Sequence, residues 1–456
     1  MTATVRDVSA GLFVRGSARL PFPAPRGLAV PLLAFVAIFC VASAGVCPAC
    51  TTAVISGRVT ADGRPLLWKS RDTRSTRRNE VDVYDSERFR VVAVFNAGDR
   101  DSVWMGVNSA GFCIENSLSR DLADPNATGG LDNGSLMKVA LETCGTVEEF
   151  REFLERTNRS GRKTDANFGV IDAHGGAAVF ETGPTAFRMF DANDPQVAPR
   201  GYIVRSNFAT TARGIGPMPD PAVVEGSYSG ERYARGCQLI EACLAEELTV
   251  DDVVRSLFRD LADLDGRPFT GTVNGPAGDL PFAVRTADTI SRTTTVSAAV
   301  FHGVRPGEDP RATTMWVALG DPKFSIAVPC WVGIEEPAEA VAGEHGGAIC
   351  SIANTLREWT LTRDRNGVLT AELPQVWEDV WPVEERLLAA VHEARRRWED
   401  APPAPAEVSS LHRRLAGEAL AAMQAELADM KEAALTLPAP PSPVFAPAAG
   451  GAALAP

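Results

Sequence analysis

The sequence has little positive charge relative to its acidic residues. Over 456 residues, 45 lysines and arginines stand against 58 aspartates and glutamates, which gives a formal net charge of -13. A surface that binds nucleic acid needs a clustered excess of Lys and Arg to neutralise phosphates. The overall charge therefore argues against an RNA or DNA partner.

Histidine and close pairs of metal ligands are also scarce. The five histidines are His174, His302, His345, His392 and His412, and none shows an obvious pairing with a cysteine. A four-ligand zinc site needs two close ligand pairs, but the chain has a single C-x-x-C at residues 47–50 and no H-x-x-x-H. We predict neither a metal nor an organic cofactor.

The N-terminal segment has the layout of an export signal. Residues 1–26 carry four arginines, and residues 28–44 (LAVPLLAFVAIFCVASA) are apolar and end in an A-x-A-like cleavage site. We predict a signal peptide at residues 1–44, a short pro-segment at 45–49 and export to the periplasm or the extracellular space. The alternative is an uncleaved membrane anchor, because the apolar run approaches the roughly 20 residues that a spanning helix needs.

The pattern after the pro-segment alternates between strands and helices. Residues 51–60 and 65–70 are rich in β-branched and apolar residues around a turn at 61–64, which predicts a hairpin. Helical periodicity appears at residues 136–143, 147–156, 231–245 and 250–261, and further strand patterns lie before and after these segments. Strands, then helices, then strands indicate an α+β layered fold rather than a doubly wound one.

The last third of the chain is predicted to be mostly helical, with helices at 376–398 and 408–437. On the last of these, an apolar stripe is expected to dock on the chain's own domain; it comprises Leu411, Leu415, Met423, Leu427 and Met430. The composition of residues 438–456 predicts a disordered tail. We therefore divide the mature chain into a main domain (50–334), a helical extension (335–437) and this tail.

The cysteines allow several interpretations. In an oxidising compartment five of them could form one or two disulfides, although burial is the simpler expectation for each: Cys144, Cys237, Cys243, Cys330 and Cys350. The C-x-x-C does not suit redox chemistry. A thioredoxin-like motif opens a helix, whereas β-branched residues follow Cys50.

A third interpretation makes Cys50 a new N-terminus, exposed by removal of residues 1–49. The free α-amine of such a residue titrates at about 7.7–8.0 and can take the thiol proton without any histidine. We predict Cys50 as the nucleophile.

Several short motifs resemble, in order, those of one enzyme superfamily. Cys50-Thr51-Thr52 opens the series, and the later segments are residues 62–63 (DG), 68–72 (WKSRD), 106–112 (GVNSAGF) with Asn116, 167–181, 202–208 (YIVRSNF) and 229–232 (SGER). This order is similar to that of N-terminal-nucleophile (Ntn) amide hydrolases. The likeness covers the choloylglycine hydrolase and penicillin V acylase group and the isopenicillin N acyltransferase-like proteins.

The resemblance implies a four-layer αββα sandwich with the nucleophile at the end of a central strand. It also implies that Asp72 holds the α-amine of Cys50, that Asn207 helps to orient it, and that Asn116 with backbone N–H groups forms the oxyanion hole. Arg232 would complete the polar network around the thiol. The alternative is structural: a paired loop aspartate, two asparagines at strand ends and a solvated arginine.

One position departs from the family's pattern. Lys69 stands where the family has arginine, and Arg71 directly precedes Asp72. A lysine cannot reproduce the planar, bidentate fork of a guanidinium. Either Lys69 supplies only positive charge, or Arg71 replaces the arginine from a shifted backbone; we predict both as substrate-binding residues.

The expected activity is hydrolysis of a linear amide through a thioester, with a small amide or a short peptide as substrate. The same site is an acyltransferase if an amine takes the acyl group, and a dipeptidase is a further alternative. From another class, a non-catalytic exported protein would keep the fold without freeing Cys50. The sequence leaves open whether the protein forms a homo-oligomer.

Overall fold

The computed structural model describes residues 49–74, 77–127, 129–266, 283–343 and 345–436. The predicted signal peptide (1–44), residues 45–48 of the predicted pro-segment and the predicted tail (438–456) lie outside the described residues. Within the described ranges, no helix combines the length and apolar character needed to cross a membrane.

The first sheet carries Cys50 and has six antiparallel strands in the order β10-β1-β2-β12-β13-β14. Its strands are β1 (Cys50–Ile55), β2 (Leu66–Asp72), β10 (Tyr202–Arg205), β12 (Thr295–His302), β13 (Thr314–Leu319) and β14 (Val328–Cys330). Every residue of β1 and β2 is buried. A strand covered on both faces reads as a nearly continuous apolar and β-branched run, which accounts for the pattern at residues 51–55.

The second sheet has seven strands that follow one another in chain order, β3 to β9. They are β3 (Asn79–Asp85), β4 (Arg90–Asn96), β5 (Met105–Asn108), β6 (Cys113–Leu118), β7 (Ala166–Ile171), β8 (Ala177–Thr182) and β9 (Phe187–Asp191). A separate two-stranded ribbon pairs β11 (Ala283–Arg285) with β15 (Gly367–Leu369). Strands β1 and β2 contact β6 and β7, so the two large sheets pack face to face.

Helices cover the outer faces of both sheets. They are α1 (Asn133–Thr143), α2 (Val147–Ser160), α3 (Pro221–Val224), α4 (Gly230–Leu244), α5 (Val250–Arg255), α6 (Ala348–Thr360), α7 (Leu373–Asp400) and α8 (Pro405–Thr436). Helices α1 and α2 share one apolar cluster with the second sheet. The other cluster joins the facing sides of the two sheets to the helices outside the first sheet. The α+β class and the αββα layer order are therefore confirmed.

Local sequence explains where the first helices begin. The Asp132 side chain accepts a hydrogen bond from the Ser135 backbone N–H, and the Ser135 hydroxyl accepts one from the Asp132 backbone N–H, which closes a capping box before α1. Thr146 caps α2 by accepting from the Glu149 backbone. These caps fix the segments that cover the second sheet.

The C-terminal helices pack on the same core as the first sheet. Leu411, Leu415 and Met423 of α8 are buried, and Leu427 and Met430 pack against the core from its edge. The prediction that this stripe docks on its own domain is confirmed.

The described cysteines are all free. Cys144, Cys237, Cys330 and Cys350 are buried, and Cys243 is half-buried. Burial, rather than the alternative of disulfide bonds, accounts for these residues.

Candidate active site

Cys50 is the first residue of β1 and is only 8% exposed. Strand β1 lies between β10 and β2, so Cys50 has a neighbouring strand on either side. In the β1–β2 register Cys50 stands directly opposite Arg71. On the other side, its backbone N–H donates a hydrogen bond of 2.9 Å to the side-chain oxygen of Asn207, two residues after β10 ends.

The amide of Asn207 is fixed at both ends. Its Oδ1 also accepts from Arg232 at 2.8 Å, while its Nδ2 donates to the carbonyl of Leu118 at 2.7 Å. Arg232 in turn donates to the carbonyl of Cys50 at 2.7 Å and to the hydroxyl of Thr51 at 3.0 Å. Asn207 and Arg232 thus hold the backbone on both sides of the Cys50 α-carbon.

A left-handed residue places α4 beside this network. Ser229 precedes the helix with φ of 63°, which is uncommon for a residue other than glycine. Its hydroxyl accepts from the backbone N–H of Asn207 at 3.0 Å. Because Arg232 lies in the first turn of α4, the same contact brings its guanidinium to Asn207 and Cys50.

Asp72 ends β2 and is 3% exposed. Its carboxylate accepts from Thr295 at 2.6 Å and from Arg292 at 3.3 Å. Burial raises the pKa of Asp72, and the positive charges of Arg292 and Arg232 oppose that rise. The pKa of the Cys50 thiol, which burial raises, is lowered by a hydrogen bond with the backbone of Asp72 and raised further by the Asp72 carboxylate charge. The predicted contact of this carboxylate with the α-amine stays a prediction, since the backbone nitrogen of Cys50 bonds Asn207.

Lys69 is joined to Asn116 inside the sandwich. Its Nζ donates to Asn116 Oδ1 at 2.7 Å and to the carbonyl of Trp104 at 2.7 Å. Because Oδ1 is engaged, Nδ2 is the donor that Asn116 can offer to another group. Burial lowers the pKa of Lys69 to about 8, and the charges of Cys50 and Glu115 oppose this shift.

Arg71 lies two residues further along β2 and therefore on the same face as Lys69. It donates to Asn79 Oδ1 at 3.1 Å and to Asn96 Oδ1 at 2.9 Å, and its guanidinium lies 4.3 Å from the ring centroid of Trp104. Burial lowers its pKa to about 10. The two cations therefore bind different partners.

These residues surround a cavity of about 380 Å³. Five predicted site residues line it, namely Cys50, Lys69, Arg71, Asp72 and Asn116. The rest of the wall includes Thr73, Leu118, Asp132, Gly134, Lys163 and Asp165. Asn207 and Arg232 lie behind the Cys50 backbone, so the structure brings all seven predicted residues to one place. No described histidine lines this cavity.

Electrostatics around the thiol run in both directions. Burial raises the pKa of Cys50, while the charges of Lys69 and Arg71 lower it. The thiol in this buried setting needs both a base and a retained positive charge to become a thiolate.

Sequence reasoning missed Glu115, which precedes Asn116 on β6 and is fully buried. Burial raises the pKa of its carboxyl to about 8, against the lowering effects of Lys69, Thr52 and the Gly169 backbone. The only available signal was an acidic residue inside an apolar strand pattern. It was also not possible to foresee that Trp104 would carry the Arg71 guanidinium, since that contact joins the two sheets.

Comparisons with known proteins add the following. No protein-family model and no curated protein matches this sequence. Similar solved structures include penicillin V acylase from Agrobacterium tumefaciens, with 14% identity over 62% of this chain and 86% of that chain and a TM-score of 0.35.

Two mutants of the conjugated bile acid hydrolase from Clostridium perfringens are also similar. One has 11% identity and a TM-score of 0.34, the other 10% and 0.36, and each match covers 59% of this chain and 89% of that chain. TM-scores of this size do not show the fold or the function of this chain. Its layer order and its site rest on the contacts described above.

Proposed function

We propose that this protein hydrolyses linear amide bonds, with the thiol of Cys50 as nucleophile and the freed α-amine of Cys50 as general base. One observation carries the proposal. The backbone nitrogen of Cys50 is held at 2.9 Å by Asn207, and the same residue lines a cavity together with two buried cations, Lys69 and Arg71. The nucleophile and the prospective base therefore belong to one residue, and the positive charges lie in the wall of the same cavity.

The α-amine is the base that this geometry favours. The wall of the cavity contains no described histidine, and Asp72 is already engaged by Thr295 and Arg292. Cleavage of the bond between Ala49 and Cys50 converts the held nitrogen into an amine with a pKa near neutrality. Its position next to the thiol makes a direct proton transfer feasible.

The reaction then has two balanced steps. The Cys50 sulfur, having given its proton to the α-amine, attacks the amide carbonyl carbon, and the tetrahedral intermediate expels the substrate's amine, which takes this proton from the α-ammonium group. In the second step a water gives a proton to the α-amine and attacks the thioester carbonyl. Collapse releases the carboxylic acid and restores the thiol.

Asn116 and Lys69 stabilise the negative charges that develop in these steps. The Asn116 amide offers Nδ2 to an oxyanion, because its Oδ1 is engaged by Lys69. The Lys69 charge stabilises the thiolate before attack. Arg71 completes the cationic wall that faces the substrate.

Export is part of the same proposal. The apolar run at residues 28–44 ends in small residues six positions before Cys50. Removal of the signal peptide and the short pro-segment would deliver the nucleophile in the periplasm or outside the cell. The free cysteines do not conflict with this placement, because most of them are buried.

The direct test is amine release from a panel of N-acyl amino acids, conjugated bile salts, penicillins and dipeptides. Cys50→Ser should lower kcat/KM by at least about a hundredfold, because the serine hydroxyl is a weaker nucleophile than the cysteine thiol near neutral pH. Intact mass spectrometry of the acid-quenched wild type should show an acyl adduct that hydroxylamine removes. The matched control is Cys243→Ser, a half-buried free cysteine outside the cavity. Full activity in Cys50→Ser would overturn the proposal.

A further inference from the structure

Arg71 is a buried cation whose partners are neutral. Arg71 is 4% exposed, and its hydrogen-bond partners among the described residues are not carboxylates but the amide oxygens of Asn79 and Asn96. Asp99 acts on it only by longer-range attraction. Three of its five N–H donors therefore remain for other groups.

Three other buried arginines among the described residues are better satisfied. Arg205 and Arg259 each form an ion pair with a buried glutamate. Arg395 has no such pair but donates four hydrogen bonds to backbone carbonyls and a hydroxyl. A buried cation without a carboxylate partner is costly, and an anionic group of a ligand in this cavity would offset that cost.

The guanidinium is also held in place before any ligand binds. Trp104 supports one of its faces at 4.3 Å, and the two asparagines fix its edges. A planar fork that is immobilised in this way matches the geometry of a carboxylate and loses little entropy on binding.

The position of Arg71 sets where the anion lies. Residues paired directly across two antiparallel strands have Cβ atoms about 4.5–5.5 Å apart, and Cys50 and Arg71 are such a pair. Both residues also line the same cavity of about 380 Å³, so a small molecule held there can contact Arg71 and Cys50 at once.

We propose that Arg71 anchors a carboxylate of the substrate, so that the substrates are small amides with a carboxylate within a few bonds of the scissile bond. This inference rests on the proposed amide hydrolysis at Cys50. The carboxylate can belong to the leaving amine, as in an N-acyl amino acid, or to the acyl group, as in a dicarboxylic monoamide.

Two substrate pairs that differ only in the anion test this anchor. The first pair is N-hexanoylglycine and N-hexanoylglycinamide, and the second is N-butylsuccinamic acid and N-butylsuccinamide. In the wild type, kcat/KM for the carboxylate should exceed that for the carboxamide by about tenfold to a hundredfold in one pair. The pair that shows the preference identifies which side of the amide carries the anion.

Variants of Arg71 should change this ratio specifically. In Arg71→Met the ratio should fall to about one, and in Arg71→Lys it should be intermediate, because lysine keeps the charge but loses the fork. Arg100→Met is the matched control: this arginine lies 4.9 Å from the Phe95 ring centroid but pairs with Glu80 outside the cavity. Its ratio should equal that of the wild type. A wild-type ratio near one in both pairs, or an unchanged ratio in Arg71→Met and Arg71→Lys, would overturn the anchor.

Binding separates this inference from the proposed function. If no substrate of either pair is hydrolysed, calorimetry on Cys50→Ala still measures the preference directly. The carboxylate of one pair should bind about tenfold more tightly than its carboxamide, and the double variant Cys50→Ala/Arg71→Met should lose this difference. Equal binding by Cys50→Ala overturns the anchor, whereas a preference without hydrolysis counts against the function alone.

Discussion

The backbone nitrogen of Cys50 donates to the side-chain oxygen of Asn207 across 157 residues of sequence. Arg232 donates to the same oxygen, and the carbonyl of Leu118 accepts a hydrogen bond from Asn207 Nδ2. The side-chain amide of Asn207 therefore has a single orientation. If residues 1–49 are removed, this oxygen is the acceptor for the α-amine. The contact therefore links the fold to the proposed base.

Asn207→Ala should lower kcat by about a hundredfold, because a misplaced amine no longer exchanges a proton with the thiol efficiently. Asn207→Asp keeps an oxygen acceptor but loses the bond to the Leu118 carbonyl, so its activity should be intermediate. Steady-state kinetics on the correctly processed variants measures both. Asn193→Ala is the control, since Asn193 contacts Ser56 at the opposite end of β1. Wild-type kcat in Asn207→Ala would contradict the assignment.

The alkaline limb of the activity should depend on Glu115. Burial lowers the pKa of Lys69 to about 8, and the charge of Glu115 raises it; because burial raises the pKa of Glu115 itself to about 8, this carboxyl gains its charge over the same pH range. As pH rises through that value, Lys69 loses its proton and ceases to stabilise the thiolate, so activity falls. Glu115→Gln removes the supporting charge and should move this limb to lower pH by roughly one unit. The pH dependence of kcat/KM measures it, with Glu142→Gln, a half-buried glutamate outside the cavity, as control; a limb that stays in place or moves to higher pH contradicts the account.

Gly169 leaves the space that Glu115 occupies. A Cβ at this position would lie 2.2 Å from Glu115 Oε1 and 2.8 Å from Leu67 Cδ1. Gly169→Ala should therefore lower the free energy of unfolding by about 1–3 kcal/mol. Gly417→Ala on α8 meets no atom within 4 Å and should raise it by about 0.5–1 kcal/mol. Urea unfolding followed by far-UV circular dichroism compares the two, and equal effects would show that the close approach at Gly169 is relieved without strain.

The C-terminal helix α7 is tied to the main domain by a buried ion pair. Glu384 accepts from Arg259 through both oxygens at 2.6 Å, and also from the backbone of Ala327. Glu384→Ala should lower the free energy of unfolding by about 3–5 kcal/mol, since it removes the carboxylate that forms an ion pair with a buried guanidinium. The adjacent Glu385 pairs with Arg255 near the surface, so Glu385→Ala should change it by less than about 1 kcal/mol. A similar effect of both changes would show that α7 is held mainly by apolar packing.

The α+β class was within reach of the sequence because it rests on local patterns. Fully buried strands appear as β-branched runs, and amphipathic helices appear as three- and four-residue spacing. The αββα layer order came from the resemblance to Ntn hydrolases, and the Cys50 assignment used the β-branched residues that follow it, the scarcity of histidine and the order of the downstream motifs.

The surroundings of the cations were out of reach because they depend on contacts between the sheets. Alternation along β2 places Lys69 and Arg71 on one face. Only the packing of the second sheet shows that Asn116 accepts a hydrogen bond from Lys69 and that the Trp104 ring lies against the Arg71 guanidinium. Likewise, Thr295 and Arg292 hold Asp72 from β12 and the segment before it, more than two hundred residues away. Glu115 is buried by the same packing and carried no spacing signal of its own.

The central claim is that Cys50 becomes the N-terminus of the working protein. N-terminal sequencing of the protein recovered from the exported fraction of its native host, combined with its intact mass, tests this most directly. The account predicts a single species that begins at Cys50, with amide hydrolysis present in that species and absent from the uncleaved chain. A stable, active protein that begins at Gly45 or earlier would contradict it.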